Sequence, residues 1–262
     1  MKLLIVQTGA AAPEVLARYG DFPEWFRRGL GLRAEQIVTV RVDTGERLPA
    51  ADAVAGAVIT GSAAMVPERL DWSERTAAWL RDAVGVGLPV LGVCYGHQLL
   101  AHALGGHVDY NPRGREIGTA EIECLPAAVG DPLVGALPGR FFAHATHLQT
   151  VLRAPPGAAV LARSSLDDHQ AVRFAPNAWG VQFHPEFGVR EMRGYLRARS
   201  EAIDYEGLDT QALLRAVRTS PHARNVLRRF TRIVALANAE KQRRPRGPSL
   251  SMHPQPPSGG AD

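Results

Sequence analysis

Near the start of the chain, apolar and β-branched residues fall in short unbroken runs at 3–6, 37–42, 57–60 and 88–93. Runs of this length that do not alternate with polar residues predict strands buried on both faces. The stretch after the first run is rich in Gly, Ala and Pro and reads as a loop. Helical spacing follows at 23–30, with Trp25, Phe26 and Leu30 on one side. It returns after Asp71-Trp72-Ser73-Glu74, which resembles a helix start, and continues over 77–84. Strands separated by helical patterns predict βαβ units and a largely parallel sheet. Beyond Gly106 the texture changes. Short strand patterns at 118–124, 141–144, 159–162, 171–174 and 180–183 are divided by turn residues, with little helix between them. That half predicts a smaller antiparallel extension of the sheet. Helices return at 189–199, 210–217 and 223–239. In the last, Val226, Leu227, Phe230, Ile233, Val234 and Ala237 make one stripe, and Arg224, Arg228 and Arg232 lie opposite. Past Glu240 the periodicity is lost. Residues 241–262 are basic and rich in Pro, Ser and Gly, and they predict a disordered tail.

Composition narrows the class. The 262 residues are 45% hydrophobic, enough for a substantial core. Two cysteines, Cys94 and Cys124, imply no disulfide framework and fit a reducing, cytoplasmic setting. The opening MKLLIVQTG is too short an apolar run for a signal peptide, and no run approaches the roughly 20 residues of a membrane span. The formal net charge is +4, with much of the excess late in the chain. Arg224, Arg228, Arg229 and Arg232, then Lys241, Arg243, Arg244 and Arg246, carry no interleaved aromatics for stacking, so nucleic acid is not the expected partner.

Chemistry concentrates in two places. The run 88–93 ends in Gly92-Val93-Cys94-Tyr95-Gly96, and helical spacing follows through Leu99, Leu100, Ala103 and Leu104 to Gly105-Gly106. This is strand, tight turn, helix, with a thiol at the apex. It is the cysteine form of a nucleophile elbow, in which small neighbours let a strained turn expose the reactive atom. The helix start behind the sulfur favours thiolate. Alternatively, Cys94 is a small buried hydrophobe. Far downstream, Trp179 to Glu186 reads WGVQFHPE. In an extended segment residues two apart share a side, so Glu186 can orient His184, with Pro185 as a stiff spacer. A thiolate needs such a base and such an orienting group. The other histidines weigh less. His97, His102 and His107 are five residues apart, about 140° around a helix of 3.6 residues per turn, and share no face. No paired metal-ligand motif occurs, so neither metal nor other cofactor is expected. His144 and His147 either line a pocket or sit on the surface. Cys124 reads as structural.

With both motifs in hand, the sequence resembles the class I, triad-type glutamine amidotransferases, in particular the amidotransferase domain of GMP synthase. Gly92-Val93-Cys94-Tyr95-Gly96-His97-Gln98 and Gln182-Phe183-His184-Pro185-Glu186 match in order and in their long separation, over roughly residues 1–200. The resemblance implies a flavodoxin-like α/β three-layer sandwich; beyond it, residues 201–240 are expected to pack on that domain as C-terminal helices. It implies that Cys94 attacks the carboxamide of glutamine, that His184 moves the proton and that Glu186 holds His184. Backbone N–H groups at Tyr95 and in the Gly61-Ser62 turn would form the oxyanion hole. Gln98, His144 and Thr146 fall at substrate-contacting positions. Two departures stand out. Thr60-Gly61-Ser62-Ala63 replaces the family's Ser-Gly-Gly-Pro, and Ala143-His144-Ala145-Thr146 replaces Ser-His-Gly-Asp, which removes a carboxylate. No Walker-type loop or synthase domain follows, so the expected acceptor of ammonia is a separate synthase subunit. Two alternatives stay open: a hydrolase of γ-glutamyl amides or peptides using the same three residues, and a non-catalytic regulatory module.

Overall fold

The computed structural model describes residues 1–243. The elements run β1 (Leu3–Gln7), α1 (Pro13–Tyr19), α2 (Phe22–Leu30), β2 (Ile37–Arg41), β3 (Gly56–Ile59), α3 (Asp71–Gly85), β4 (Val90–Val93) and α4 (Tyr95–Ala103). The second half adds β5 (His107–Tyr110), β6 (Glu116–Cys124), β7 (Arg140–His147), β8 (Gln149–Arg153), β9 (Ala159–Arg163), β10 (Ala171–Ala175) and β11 (Ala178–Val181). It closes with α5 (Val189–Ala198), α6 (Ser200–Tyr205), α7 (Thr210–Ala216) and α8 (Pro221–Arg243).

Nine strands form one sheet in the order β2-β1-β3-β4-β11-β10-β9-β6-β7. The first five of these are mutually parallel. The remaining pairings are antiparallel. The direction switches at β11, which is parallel to β4 on one edge and antiparallel to β10 on the other.

The unbroken apolar runs explain the layering. Along β1, Leu3 and Ile5 face one side of the sheet and Leu4 and Val6 the other, all buried. The first side packs against Trp25, Phe26 and Leu30 of α2, Met192 and Leu196 of α5, and Phe230 of α8. The second side packs against Leu80 of α3 and Leu99 and Leu100 of α4. The result is an α/β three-layer sandwich.

Asp21 sets the entry to α2. Its carboxylate accepts from the N–H groups of Phe22 (2.8 Å) and Ala11 (2.9 Å) and from Gln7 Nε2 (2.9 Å), tying β1, the following loop and the helix together. Asp21 thereby stands where the loop must turn toward the site.

Several boundaries differ from the sequence reading. The Gly-, Ala- and Pro-rich stretch after β1 contains α1, started by Pro13 and anchored by the buried Val15 alone. With one buried position there is no period to read. The pair β5–β8 forms a separate two-stranded sheet against α4, and α6 is a further short helix. Strand β11 ends at Val181, so Gln182 and Phe183 lie beyond it. Helix α8 continues to Arg243, past the expected end at 239, and the rest of the basic tail, 244–262, lies outside the described residues.

Candidate active site

Strand β4 runs into α4 through a single residue, Cys94, at φ 52° and ψ −105°. Only one other non-glycine residue among those described has positive φ. Such a conformation costs about 1–3 kcal/mol and persists only when its surroundings impose it. They do so here. The Cys94 N–H donates to Val181 O (2.9 Å), the Gly96 N–H to Thr60 O (3.1 Å) and the Gln98 N–H to Cys94 O (3.1 Å). The flanking glycines are required by contact. A Cβ on Gly92 would lie 2.3 Å from Gly96 O, and one on Gly96 would lie 2.4 Å from Ile59 O.

Because β11 lies beside β4 and parallel to it, the carboxyl ends of both strands open on one edge of the sheet. Three residues past β11 comes His184. Its N–H donates to His144 O on β7 (2.7 Å), and its Nδ1–H donates to Glu186 Oε1 (2.7 Å). The link between these two residues is a tight turn and not the extended segment expected from the sequence. Phe187 N–H bonds back to His184 O (3.3 Å), with Pro185 in the second position, where its fixed φ favours a turn. The imidazole stacks on Phe187, ring centroids 4.1 Å apart, and touches Gly61, where a Cβ would come 3.0 Å from Cε1. His184 Nε2 has no hydrogen-bond partner among the described residues.

Cys94 and His184 line one cavity, together with Ser62, Thr146, Tyr195 and Arg199. A second, narrower opening joins Cys94 to Gln98, Gln149 and again Arg199. Burial pushes the Cys94 thiol up, but the charge of His184, with a further contribution from His147, leaves it below its ordinary value. Burial pulls the His184 imidazole down. The Glu186 carboxylate and the Cys94 sulfur overcome this and raise it to about 10. The two shifts have one cause: each charged form, thiolate and imidazolium, stabilises the other.

The remaining predicted positions are distributed as follows. Tyr95 is the first residue of α4, so its N–H has no intrahelical acceptor. Its side chain turns away from the cavity, hydrogen-bonded to Ser73 Oγ (2.6 Å) and held by burial at about 12. The Gly61 carbonyl accepts from Thr8 Oγ1 (3.0 Å). Ser62 Oγ donates to Thr8 O (2.7 Å) and accepts from Ala64 N–H (3.1 Å), so the serine that replaces a glycine of the family pattern ties this loop to the residue that follows β1. Gln98 Nε2 donates to Gln149 O (2.8 Å) and Gln182 Oε1 (3.0 Å). Thr146 O lies 4.0 Å from the Cys94 sulfur, and Thr146 Oγ1 is buried without a partner among the described residues. His144 is fully buried and its side chain lines neither opening, although its carbonyl holds His184. Burial lowers its ring to about 4.

Of the two readings open for His147, pocket or surface, the surface one fails, because the residue is buried. Its Nδ1 faces Gln149 O and its Nε2 faces Glu116 Oε2, both at 2.9 Å. Both partners are acceptors, so this ring carries both protons. Sequence reasoning misses Arg199 and Gln149 altogether. No group of three or more His, Cys, Asp or Glu among the described residues is arranged to hold a metal ion. No described helix is long and apolar enough to cross a membrane.

A cysteine on a strained strand-to-helix bend, at the carboxyl edge of a parallel sheet and sharing a cavity with a histidine bonded to a glutamate, fits a class of thiol-dependent α/β proteins. The profile of the family described as "Glutamine amidotransferase class-I" matches residues 16–200, and the chain belongs to that family. It is 36% identical over 185 residues to GMP synthase [glutamine-hydrolyzing] of Aeropyrum pernix, a match spanning 70% of this chain and 32% of that protein. It is 34% identical over 178 residues to one subunit of the GMP synthase [glutamine-hydrolyzing] of Methanothrix thermoacetophila, covering 68% of this chain and 90% of that relative. The chain thus spans about a third of the first relative's length. In fold it resembles a glutamine amidotransferase from Thermotoga maritima, with a TM-score of 0.71 at 21% identity over 89% of this chain and 97% of the other. Another, from Methylobacillus flagellatus, has a TM-score of 0.65 at 23% identity over 89% and 92%. Glutamine hydrolysis through a cysteine nucleophile is the chemistry of this family.

Proposed function

We propose that this chain is a glutaminase that releases ammonia from glutamine through a Cys94 thioester and passes it to a separate acceptor protein. One observation carries the reading: Cys94, its thiol held below the ordinary value, lines the same cavity as a His184 whose Nδ1–H is fixed on Glu186 and whose Nε2 has no partner among the described residues.

The Cys94 sulfur attacks the γ-carboxamide carbon and the carbonyl π electrons move to oxygen. Backbone N–H groups at Tyr95 and in the Gly61-Ser62 turn receive that oxyanion, each such donor being worth about 3 kcal/mol in the transition state. Imidazolium His184 gives its Nε2 proton to the amide nitrogen, the C–N bond breaks and ammonia leaves. Water then attacks the thioester, His184 takes its proton, and glutamate departs as the thiolate re-forms. Glu186 keeps the ring oriented throughout. A separate synthase partner is supported by the match to most of the Methanothrix protein, a relative that is itself one subunit of a GMP synthase. The deciding measurement is ammonia release from glutamine by the purified chain. Activity is expected in the wild type and lost in Cys94→Ala; equal rates would remove the mechanism.

A further inference from the structure

Arg199 follows directly on α5 and is only partly exposed. It is one of the residues common to both openings beside Cys94. A guanidinium in such a place is normally paired. Among the described residues Arg199 has no carboxylate within ion-pair distance. Glu206, whose charge it feels, is occupied: Arg115 holds it with two parallel bonds of 2.7 Å. What Arg199 does have is the ring of Tyr195, 5.7 Å from its Cζ. Burial lowers its pKa, yet a guanidinium remains charged at neutral pH.

No carboxylate is there to pair with it; the group of opposite charge in the cleft is the Cys94 sulfur itself. None of the residues lining the two openings is Asp or Glu. In place of a carboxylate stand two neutral groups, Thr146 Oγ1 and the amide of Gln149. Both are buried, and neither the hydroxyl nor either amide atom has a partner among the described residues. Buried polar atoms in this state need a ligand's donors and acceptors. An amide offers one of each, so it accepts from an ammonium N–H and equally donates to an acyl carbonyl.

We propose that Arg199 binds the α-carboxylate of the substrate, and that the cleft selects a γ-glutamyl compound by this anion and not by its α-ammonium group. Substrates with the α-nitrogen acylated therefore remain substrates. The proposal rests on the reading of Cys94 as the nucleophile, and the test separates the two.

Ammonia release is measured with glutamine, glutamine α-amide and Nα-acetylglutamine. Loss of a charge-assisted pair lowers kcat/KM about 10- to 100-fold. The α-amide is expected to fall by that factor, and Nα-acetylglutamine by less than about threefold, well under the loss of a charged pair. Arg199→Gln brings glutamine down to the α-amide's level and abolishes the discrimination; Arg199→Lys restores part of it. Alkylation of Cys94 by iodoacetamide, which carries no carboxylate, reports in the same variants whether the fold and thiol survive. Equal use of glutamine and its α-amide, or an Arg199→Gln variant that alkylates normally and keeps full glutaminase activity, overturns the assignment. So does rejection of Nα-acetylglutamine as strong as that of the α-amide. Absence of ammonia release from every substrate by the wild type would instead overturn the glutaminase reading beneath it.

Discussion

The Nδ1–H of His184 donates to Glu186 Oε1 at 2.7 Å across a proline turn, with the carboxylate and the ring both buried. This contact, together with the Cys94 sulfur, raises the imidazole above its ordinary value despite its burial. In the Glu186→Gln variant that support goes, and the His184 pKa falls. The acid needed to release ammonia is then lost at lower pH. The alkaline limb of the kcat profile is expected to move down, and kcat to drop about 100-fold, within the usual range for a general acid–base group. An unchanged limb would separate Glu186 from the chemistry.

The two cysteines offer an internal comparison. Cys94 lies below the ordinary thiol value because His184 outweighs burial, while Cys124, half-buried on β6, is raised by burial with nothing to offset it. Alkylation followed by mass spectrometry is expected to modify Cys94 at pH values where Cys124 is inert. In His184→Ala, the chief opposition to burial goes, and the Cys94 reaction midpoint moves above the ordinary value. A midpoint that stays put would mean another group sets the thiol.

Backbone clearance at the elbow predicts a stability contrast. A Cβ on Gly96 meets the Ile59 carbonyl, which cannot swing aside as a side chain can, so Gly96→Ala is expected to cost about 3 kcal/mol in urea unfolding. Gly85, the last residue of α3, has nothing within 4 Å of an added Cβ. Gly85→Ala is expected to gain about 0.5 kcal/mol.

Behind the site, Glu116 accepts from His147 Nε2 (2.9 Å), Ser164 Oγ (2.7 Å) and Gln170 Nε2, all buried. Burial lowers the His147 pKa, but the Glu116 contact raises it above the ordinary histidine value. A folded-state pKa above the unfolded one adds stability that is complete below about pH 6.5 and fades as pH rises through the folded value. Glu116→Ala leaves a buried imidazolium half-paired. It is expected to cost about 3–5 kcal/mol at pH 6, with a smaller penalty at pH 9, measured by urea unfolding. A penalty independent of pH would show that packing, and not charge, is what Glu116 supplies.

The elbow is legible in the sequence because its determinants are local: two glycines, a strand before and a helix after. The parallel half of the sheet is legible because burial on both faces leaves unbroken apolar runs. Features that depend on assembly are not. Helix α1 has one buried residue and so no period. Arg199 ends an ordinary amphipathic helix, where arginines are normally solvated, and nothing in its neighbours says that it faces the cysteine. Gln149 belongs to β8, whose QTVLR sequence has only two apolar residues, side by side, and so neither an apolar run nor an alternation to read. Pro185 reads as a rigid spacer in extended chain, although the residue equally starts turns, and only the partner carbonyl on β7 decides between the two.

Cys94 and His184 follow adjacent parallel strands, yet about ninety residues separate them along the chain. Most of that excursion is the antiparallel flank and the small β5–β8 ribbon, which reach the sulfur and the imidazole through Thr146, His147, Gln149 and the carbonyl of His144. His184 is nonetheless tied to that flank, because its N–H bonds to the His144 carbonyl, so rebuilding β7 is expected to move the imidazole relative to the sulfur. The parallel half thus carries the thiol and the imidazole, while the flank both walls the cleft and anchors the ring, so a change in that appendage is felt at both.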